Sequence, residues 1–286
     1  ENAMKLARMA VDETHIGKYE DKIIKNQFAS KNFYESIKDM KTAGIIREDK
    51  EKKVIEIAAP MGVVTAVIPT TNPTSTVIFK CIASLKARNA VVISPHPRAI
   101  RCCLETARMM EEAAEAAGAP AGLIQCLDVA SMDAANELMH NEKTAVILAT
   151  GGTGLVKAAY SSGKPAYGVG PGNVPAYIER SADLSDALDK ILASKTFDNG
   201  TICASEQSVI VERVVADQAK ALLAQKGGYF VTGEDKEKLS RTVIKPQGGV
   251  NADVVGKDPR VIADLAGISI PAGTRVLVAE LDGVGK

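Results

Sequence analysis

Between Val63 and Tyr160 the chain repeats one pattern four times: a short, continuous, β-branched apolar run followed by a longer stretch with helical spacing. Apolar runs without polar alternation belong to strands buried on both faces. Amphipathic helices between them supply the cover, so this order leads to a parallel sheet of right-handed βαβ units. Strands are expected at VVTAVI, AVVIS, LIQCL and TAVILAT, with helices over about 74–87, 98–117, 132–140 and 155–160. The fold class is therefore α/β, a doubly wound Rossmann-like domain, and its ligands are expected at the carboxyl ends of the strands.

Upstream, ENAMKLARMAVDETH has a helical pattern. The spacing of Ile23, Ile24, Phe28, Phe33, Ile37 and Met40 predicts an amphipathic helix over Lys22 to Lys41. Charged EDKEKK then gives way to VIEIAA, an alternating strand. Downstream, FDNG at Phe197 to Gly200 reads as a turn and a domain crossing. It is followed by a strand in SVIVERVV, a helix over about 216–226, a strand in GGYFVTG and another in RVLVAE, with no clear order between the last two. The chain opens inside a helical pattern and closes on LDGVGK, so it is expected to be part of a longer protein.

Charge narrows the partners. Lys plus Arg and Asp plus Glu are both 35, which argues against a nucleic-acid groove or a polybasic membrane patch. No apolar run approaches the ~18 residues of a membrane span, and no signal-peptide layout is present, so a cytoplasmic setting is expected. The cysteines Cys81, Cys102, Cys103, Cys126 and Cys203 show no metal-ligand spacing, and with three histidines no metal site is expected.

Three loops fall at strand ends. IPTTNPTST holds Asn72 between Pro69 and Pro73; its amide could donate to a developing oxyanion or could close an Asx-turn. ISPHPRA exposes Ser94 and His96 at the same edge, suited to a ribose or adenine or simply to a rigid turn. In ATGGTG, Gly151, Gly152 and Gly154 bring bare backbone toward a phosphate or nicotinamide, or form a tight βα turn. The Gly/Pro segment GVGPGN could likewise place Gly168 to Gly172 against a ligand. Cys81, Cys102, Cys103 and Cys126 sit in apolar element contexts and read as core or, for one of the adjacent pair, surface. Cys203, in FDNGTICASEQS, follows a turn among small residues, a setting open to either a nucleophile or a structural thiol.

Taken together, FDNGTICASEQSVIV, IPTTNPTST, ISPHPRA, ATGGTGLVKAAYSSGKPA and GVGPGNVPAYI closely resemble the CoA-acylating aldehyde dehydrogenases, nearest to the aldehyde dehydrogenase module of bifunctional aldehyde-alcohol dehydrogenases. The resemblance runs from about Ala3 to Lys286. It implies Cys203 as nucleophile, with Asn72 and the Cys203 N–H as the oxyanion donors. It implies NAD held by Pro69, Thr70, Thr71, Ser94, His96, Gly151, Gly152, Gly154, Val169 and Gly170, and coenzyme A as co-substrate.

The implied reaction converts a small aldehyde, acetaldehyde first, with CoA and NAD to acyl-CoA and NADH, reversibly, through a thiohemiacetal and a thioester. Hydrolytic relatives carry a Glu-Leu-Gly-Gly segment where this chain reads Gly168-Val169-Gly170-Pro171, so water lacks its general base and CoA is the expected acceptor. The resemblance further implies an NAD-binding domain over 1–197, with a strand arm near 45–58 for oligomerisation, and the first part of an α/β catalytic domain over 198–286. A homo-oligomer, filamentous in the parent protein, is expected, with the remaining catalytic segment and an alcohol dehydrogenase module beyond Lys286. The rival readings are a hydrolytic semialdehyde dehydrogenase and an inactive assembly module.

Overall fold

The computed structural model describes residues 2–281, so the closing stretch from Asp282 lies outside the described residues. The chain divides into two compact units, Glu1–His15 with Tyr19–Pro171 and Ile16–Lys18 with Gly172–Lys286.

In the first unit, helices α1 (Ala3–Thr14), α2 (Tyr19–Gln27) and α3 (Phe33–Ile37) precede an antiparallel hairpin of β1 (Gly44–Asp49) and β2 (Val54–Ala58). The βαβ series follows: β3 (Val63–Val67), α4 (Pro73–Lys86), β4 (Ala90–Ser94), α5 (Ile100–Ala116), β5 (Ile124–Cys126), α6 (Met132–His140), β6 (Thr144–Thr150), α7 (Thr153–Tyr160) and β7 (Ala166–Val169). All five strands run parallel in the order β5-β4-β3-β6-β7. From β3 the chain winds outward to β5, then returns to β6 on the other side of β3. The β3/β6 boundary is thus the topological switch, where a doubly wound sheet opens a crevice for a ligand.

Both sheet faces are covered, which is why the strands read as unbroken apolar runs. Val64, Ala66, Val91, Ile93 and Val146 pack with Val77 and Cys81 of α4 and Cys102, Cys103 and Ala107 of α5. On the opposite face Val67, Ile147 and Ala149 meet Met139 of α6 and Ala159 of α7. Both Cys102 and Cys103 are fully buried, so the core reading holds for the pair; α1 and α4 cover α5 alongside the sheet.

The helix expected over 22–41 is shorter and differently oriented. Residues Phe28–Asn32 form a π-helical turn between α2 and α3, and α3 ends at Ile37. Ser30 Oγ donates to the Asn26 carbonyl at 2.7 Å, a local bond that accompanies the widened turn. Ile24, Phe28 and Met40 are exposed, whereas Lys22, Lys25, Asn26 and Ala29 are buried. Its polar side faces inward, because those polar groups have protein partners there.

The second unit holds two parallel strand pairs with helical crossovers. β8 (Val174–Ile178), α8 (Leu184–Thr196) and β9 (Glu206–Val211) form the first, and α9 (Arg213–Gln225) leads onward. β10 (Gly228–Phe230), α10 (Gly233–Val243), α11 (Pro259–Ala266) and β11 (Val276–Val278) form the second. Asp183 accepts from the Asp186 N–H and Asp258 from the Arg260 N–H, so α8 and α11 start on side-chain caps. Leu184, Leu188 and Leu192 of α8 pack on Ile178 and Leu223.

Candidate active site

The loop leaving β3 at the switch point is fastened from beneath. Thr71 offers its carbonyl to Lys22 Nζ at 2.9 Å, and Asn72 its side-chain oxygen to Lys25 Nζ at 2.6 Å. Asn72 Nδ2 donates to Thr71 Oγ1 at 3.2 Å, and the Asn72 carbonyl accepts from the Thr76 N–H at 3.1 Å as α4 begins on Pro73. The Asn72 side chain makes no capping bond to α4, so it does not close an Asx-turn. Its amide oxygen is committed to a lysine, which leaves the nitrogen end to donate. Thr70 Oγ1 is buried without a partner among the described residues, a polar atom available to a ligand.

At the end of β4, Ser94 is 3% exposed, contrary to its expected exposure, because β4 is an interior strand and the Ile68 N–H bonds the Ser94 carbonyl at 3.0 Å. His96 stands beyond it, half-buried. The Arg98 N–H donates to His96 Nδ1 at 3.1 Å, so the proton of the neutral ring sits on Nε2. Burial and then the Arg98 charge lower the His96 pKa, keeping that neutral form.

Leaving β6, Gly151 is joined to β7 through its N–H to the Val169 carbonyl at 3.1 Å. A methyl group on Gly151 would press on Leu155, whereas Gly152 and Gly154 face open space. Gly152 begins α7 without a side-chain cap, so N–H groups of the first turn remain to bond an acceptor. On β7, Gly168 admits Val156 and Tyr160 of α7 where any side chain would clash, Val169 is exposed and Gly170 is half-buried. The predicted residues from Pro69 to Gly170 thus gather along the carboxyl edge of β4, β3, β6 and β7, four consecutive strands.

Lys80 adds a feature at this edge that sequence reading missed. It is fully buried on α4, and its Nζ donates to the carbonyls of Val67 and Leu148 at 2.7 Å each, tying the ends of β3 and β6 together. Burial brings its ammonium down to about 7. Lys22 and Lys25 were missed as well. Their signal is a spacing of three residues, with Asn26 adjoining, which puts all three on one helix face.

In the second unit, α8 runs into the FDNG segment, where Asp198 and Asn199 adopt left-handed backbone, φ 48° and 52°. Such conformations are sparsely populated and persist where surroundings fix them. Here Asp198, fully buried, accepts from the Lys18 N–H at 2.7 Å and from Thr201 Oγ1 at 2.6 Å, while Asn199 Nδ2 donates to the Gly256 carbonyl at 3.0 Å. The Ser205 hydroxyl closes the following turn onto the Ile202 carbonyl at 2.6 Å.

Cys203 stands in that turn, exposed, just ahead of β9. Among the described residues no group accepts from its backbone N–H. The segment entering β8 lies against it, for a Cβ on Gly172 would collide with the Cys203 carbonyl oxygen. Only glycine allows that approach. The other thiols are unsuited to attack: burial raises Cys81 and Cys126 to about 12, and hydrogen bonding with the Cys102 thiol followed by burial raises Cys103 well above the usual thiol range. All five cysteines are free.

The first unit thus presents a switch-point edge of bare glycines, a held amide and a neutral imidazole, and the second an exposed thiol on a braced turn. Residues 3–245 match the model of the aldehyde dehydrogenase family, and the chain belongs to that family. It is 49% identical over 276 residues to the bifunctional aldehyde-alcohol dehydrogenase AdhE of Escherichia coli K12, covering 96% of this chain and 31% of that protein. Against the acetylating succinate-semialdehyde dehydrogenase of Clostridium kluyveri it is 41% identical, covering 100% of this chain and 63% of the relative. Among solved structures, an acetylating aldehyde dehydrogenase from Geobacillus thermoglucosidasius superposes with a TM-score of 0.95 at 57% identity, covering 99% of this chain and 63% of that one. The chain therefore spans about a third of the bifunctional relative and under two thirds of the other two. Among the described residues no helix is long and apolar enough to cross a membrane.

Proposed function

We propose that the protein containing this chain is an NAD-dependent, CoA-acylating aldehyde dehydrogenase acting on a small aldehyde, acetaldehyde first. The observation that carries the reading is Cys203: an exposed thiol with an open N–H on a braced turn, in a chain whose other cysteines are buried or half-buried. Its relatives named as acetylating support the choice of CoA.

In this reading the Cys203 thiolate adds to the aldehyde carbonyl, and the Cys203 N–H and Asn72 Nδ2 stabilise the resulting oxyanion. NAD, when bound, supplies the hydride acceptor. Residues Pro69 to Thr71, Ser94, His96, Gly151, Gly152, Gly154, Val169 and Gly170 would hold it. The fit rests on the switch point, the uncapped first turn of α7 and the unpartnered Thr70 hydroxyl. CoA thiolate then attacks the Cys203 thioester, and the Cys203 thiolate leaves as acyl-CoA forms.

The stretch Gly168-Val169-Gly170-Pro171 carries no carboxylate, so water is not activated there and the thioester persists until CoA arrives. We assign the cofactor role to the unit reaching Pro171, short of the 197 boundary expected from the sequence, and the nucleophile to the unit from Gly172 onward. Assembly is assigned to the β1–β2 arm, giving a homo-oligomer that in the longer parent extends to a filament. Reduced thiols fit a cytoplasmic setting.

The test is acetaldehyde-dependent NADH formation by the full-length protein with and without CoA. Turnover that requires CoA is expected. Equal turnover without it would replace this reading with the hydrolytic one.

A further inference from the structure

We propose that Lys25 is the positioning residue of the oxyanion amide: it fixes which end of the Asn72 side chain faces the substrate and strengthens that end as a donor. The inference rests on the reading of Asn72 given above and extends it to a residue in α2 that contributes no atom to the reaction.

A lysine ammonium has donors only. An amide side chain meeting it must present oxygen, so the 2.6 Å contact from Lys25 Nζ to Asn72 Oδ1 has one chemically possible orientation. The amide nitrogen then points away from α2. One of its two N–H groups is directed at Thr71 Oγ1 at 3.2 Å; the other has no acceptor among the described residues. Without the lysine, the amide could turn about its last bond and offer oxygen instead, which repels an oxyanion.

The ammonium also draws electron density to the amide oxygen, making the N–H groups stronger donors, and burial keeps water from screening the effect. Lys25 is 9% exposed. Its neighbour on the helix face, Lys22, holds the Thr71 carbonyl at 2.9 Å, so the peptide carrying Asn72 is fixed independently of the amide. Asn26 anchors that face in turn, donating to the Ala3 carbonyl at 3.0 Å and accepting from Thr74 Oγ1 at 2.8 Å. A helix whose polar side is turned inward is costly unless those groups are used. Here each of the three grips the loop, its helix or the segment behind it.

The experiment compares full-length wild type, Lys25→Met, Lys25→Gln, Asn72→Ala and the Lys25→Met/Asn72→Ala double variant. The readouts are kcat for CoA-dependent aldehyde oxidation, KM for NAD and the rate of Cys203 alkylation by iodoacetamide, which needs no oxyanion donor. Lys25→Met is expected to lower kcat roughly tenfold, short of the ~10²-fold loss from deleting a donor outright. KM for NAD and alkylation should stay near wild type. Lys25→Gln, which still donates to the amide oxygen, should recover part of kcat, and the double variant should be no slower than Asn72→Ala.

Wild-type kcat in Lys25→Met beside a slow Asn72→Ala would overturn the proposal and leave the oxyanion reading standing. So would losses that multiply in the double variant. Wild-type kcat in Asn72→Ala would overturn both. Should Lys25→Met fail to fold, Lys25→Gln alone and paired with Asn72→Ala decides by the same comparison.

Discussion

The proposed role of Cys203 puts its demands on backbone more than on neighbouring side chains. Gly172 lies so close to the Cys203 carbonyl that a methyl group there must displace the Cys203 turn. Gly172→Ala is therefore expected to lower kcat about 10²-fold, as misplacement of a reacting group by about an ångström does. Kinetics and iodoacetamide alkylation of Cys203 check this, with unchanged values for both contradicting it. That Cys203 and Asn72 stand in loops at element ends was legible in the sequence from the turn-forming residues around each. Lys22, Lys25 and Lys80 were not, since lysine on an amphipathic pattern reads as solvent-facing. Their burial follows from carbonyl and amide oxygens brought near by distant segments. The expected exposure of Ser94 failed for a related reason: strand order, which sequence does not reveal, makes β4 an interior strand.

Among the elements, the βαβ series from β3 to α7 matched its sequence pattern to within a few residues, because buried strands and amphipathic helices have distinct periods. The second unit was harder to read. Its strand pairs are short, and β8 follows a Gly/Pro segment that masks its apolar residues. Polar-rich α10 also lacks a continuous apolar stripe. At the switch, Lys80 couples α4 to the ends of β3 and β6, and this has a pH signature. Its folded pKa of about 7 lies below the ~10.4 of an unfolded lysine. Between those values the unfolded chain binds more protons, so this group's contribution to stability rises as pH rises from about 7 to about 10 and falls on return. Denaturant midpoints for wild type and Lys80→Met should diverge in slope across that window. Parallel slopes would contradict the assignment.

For the whole molecule, the β1–β2 hairpin carries a consequence for assembly. Ile45 and Ile57 are cross-strand partners, 49% and 66% exposed, and Ile55 is 54% exposed. A two-stranded hairpin with so much apolar surface is marginal alone, which supports the proposed role of the arm in association. Ile45→Lys with Ile57→Lys in the full-length protein is expected to lower the assembly mass seen by light scattering; an unchanged mass would contradict the arm's role. The central claim is that Cys203 carries the acyl group. It is tested most directly by incubating the full-length protein with acetyl-CoA and mapping adducts by peptide mass spectrometry. The Cys203 thiolate should displace CoA and gain one acetyl group as a thioester, with no such adduct in Cys203→Ala. An acetyl thioester on another cysteine, or none while turnover proceeds, would contradict the account.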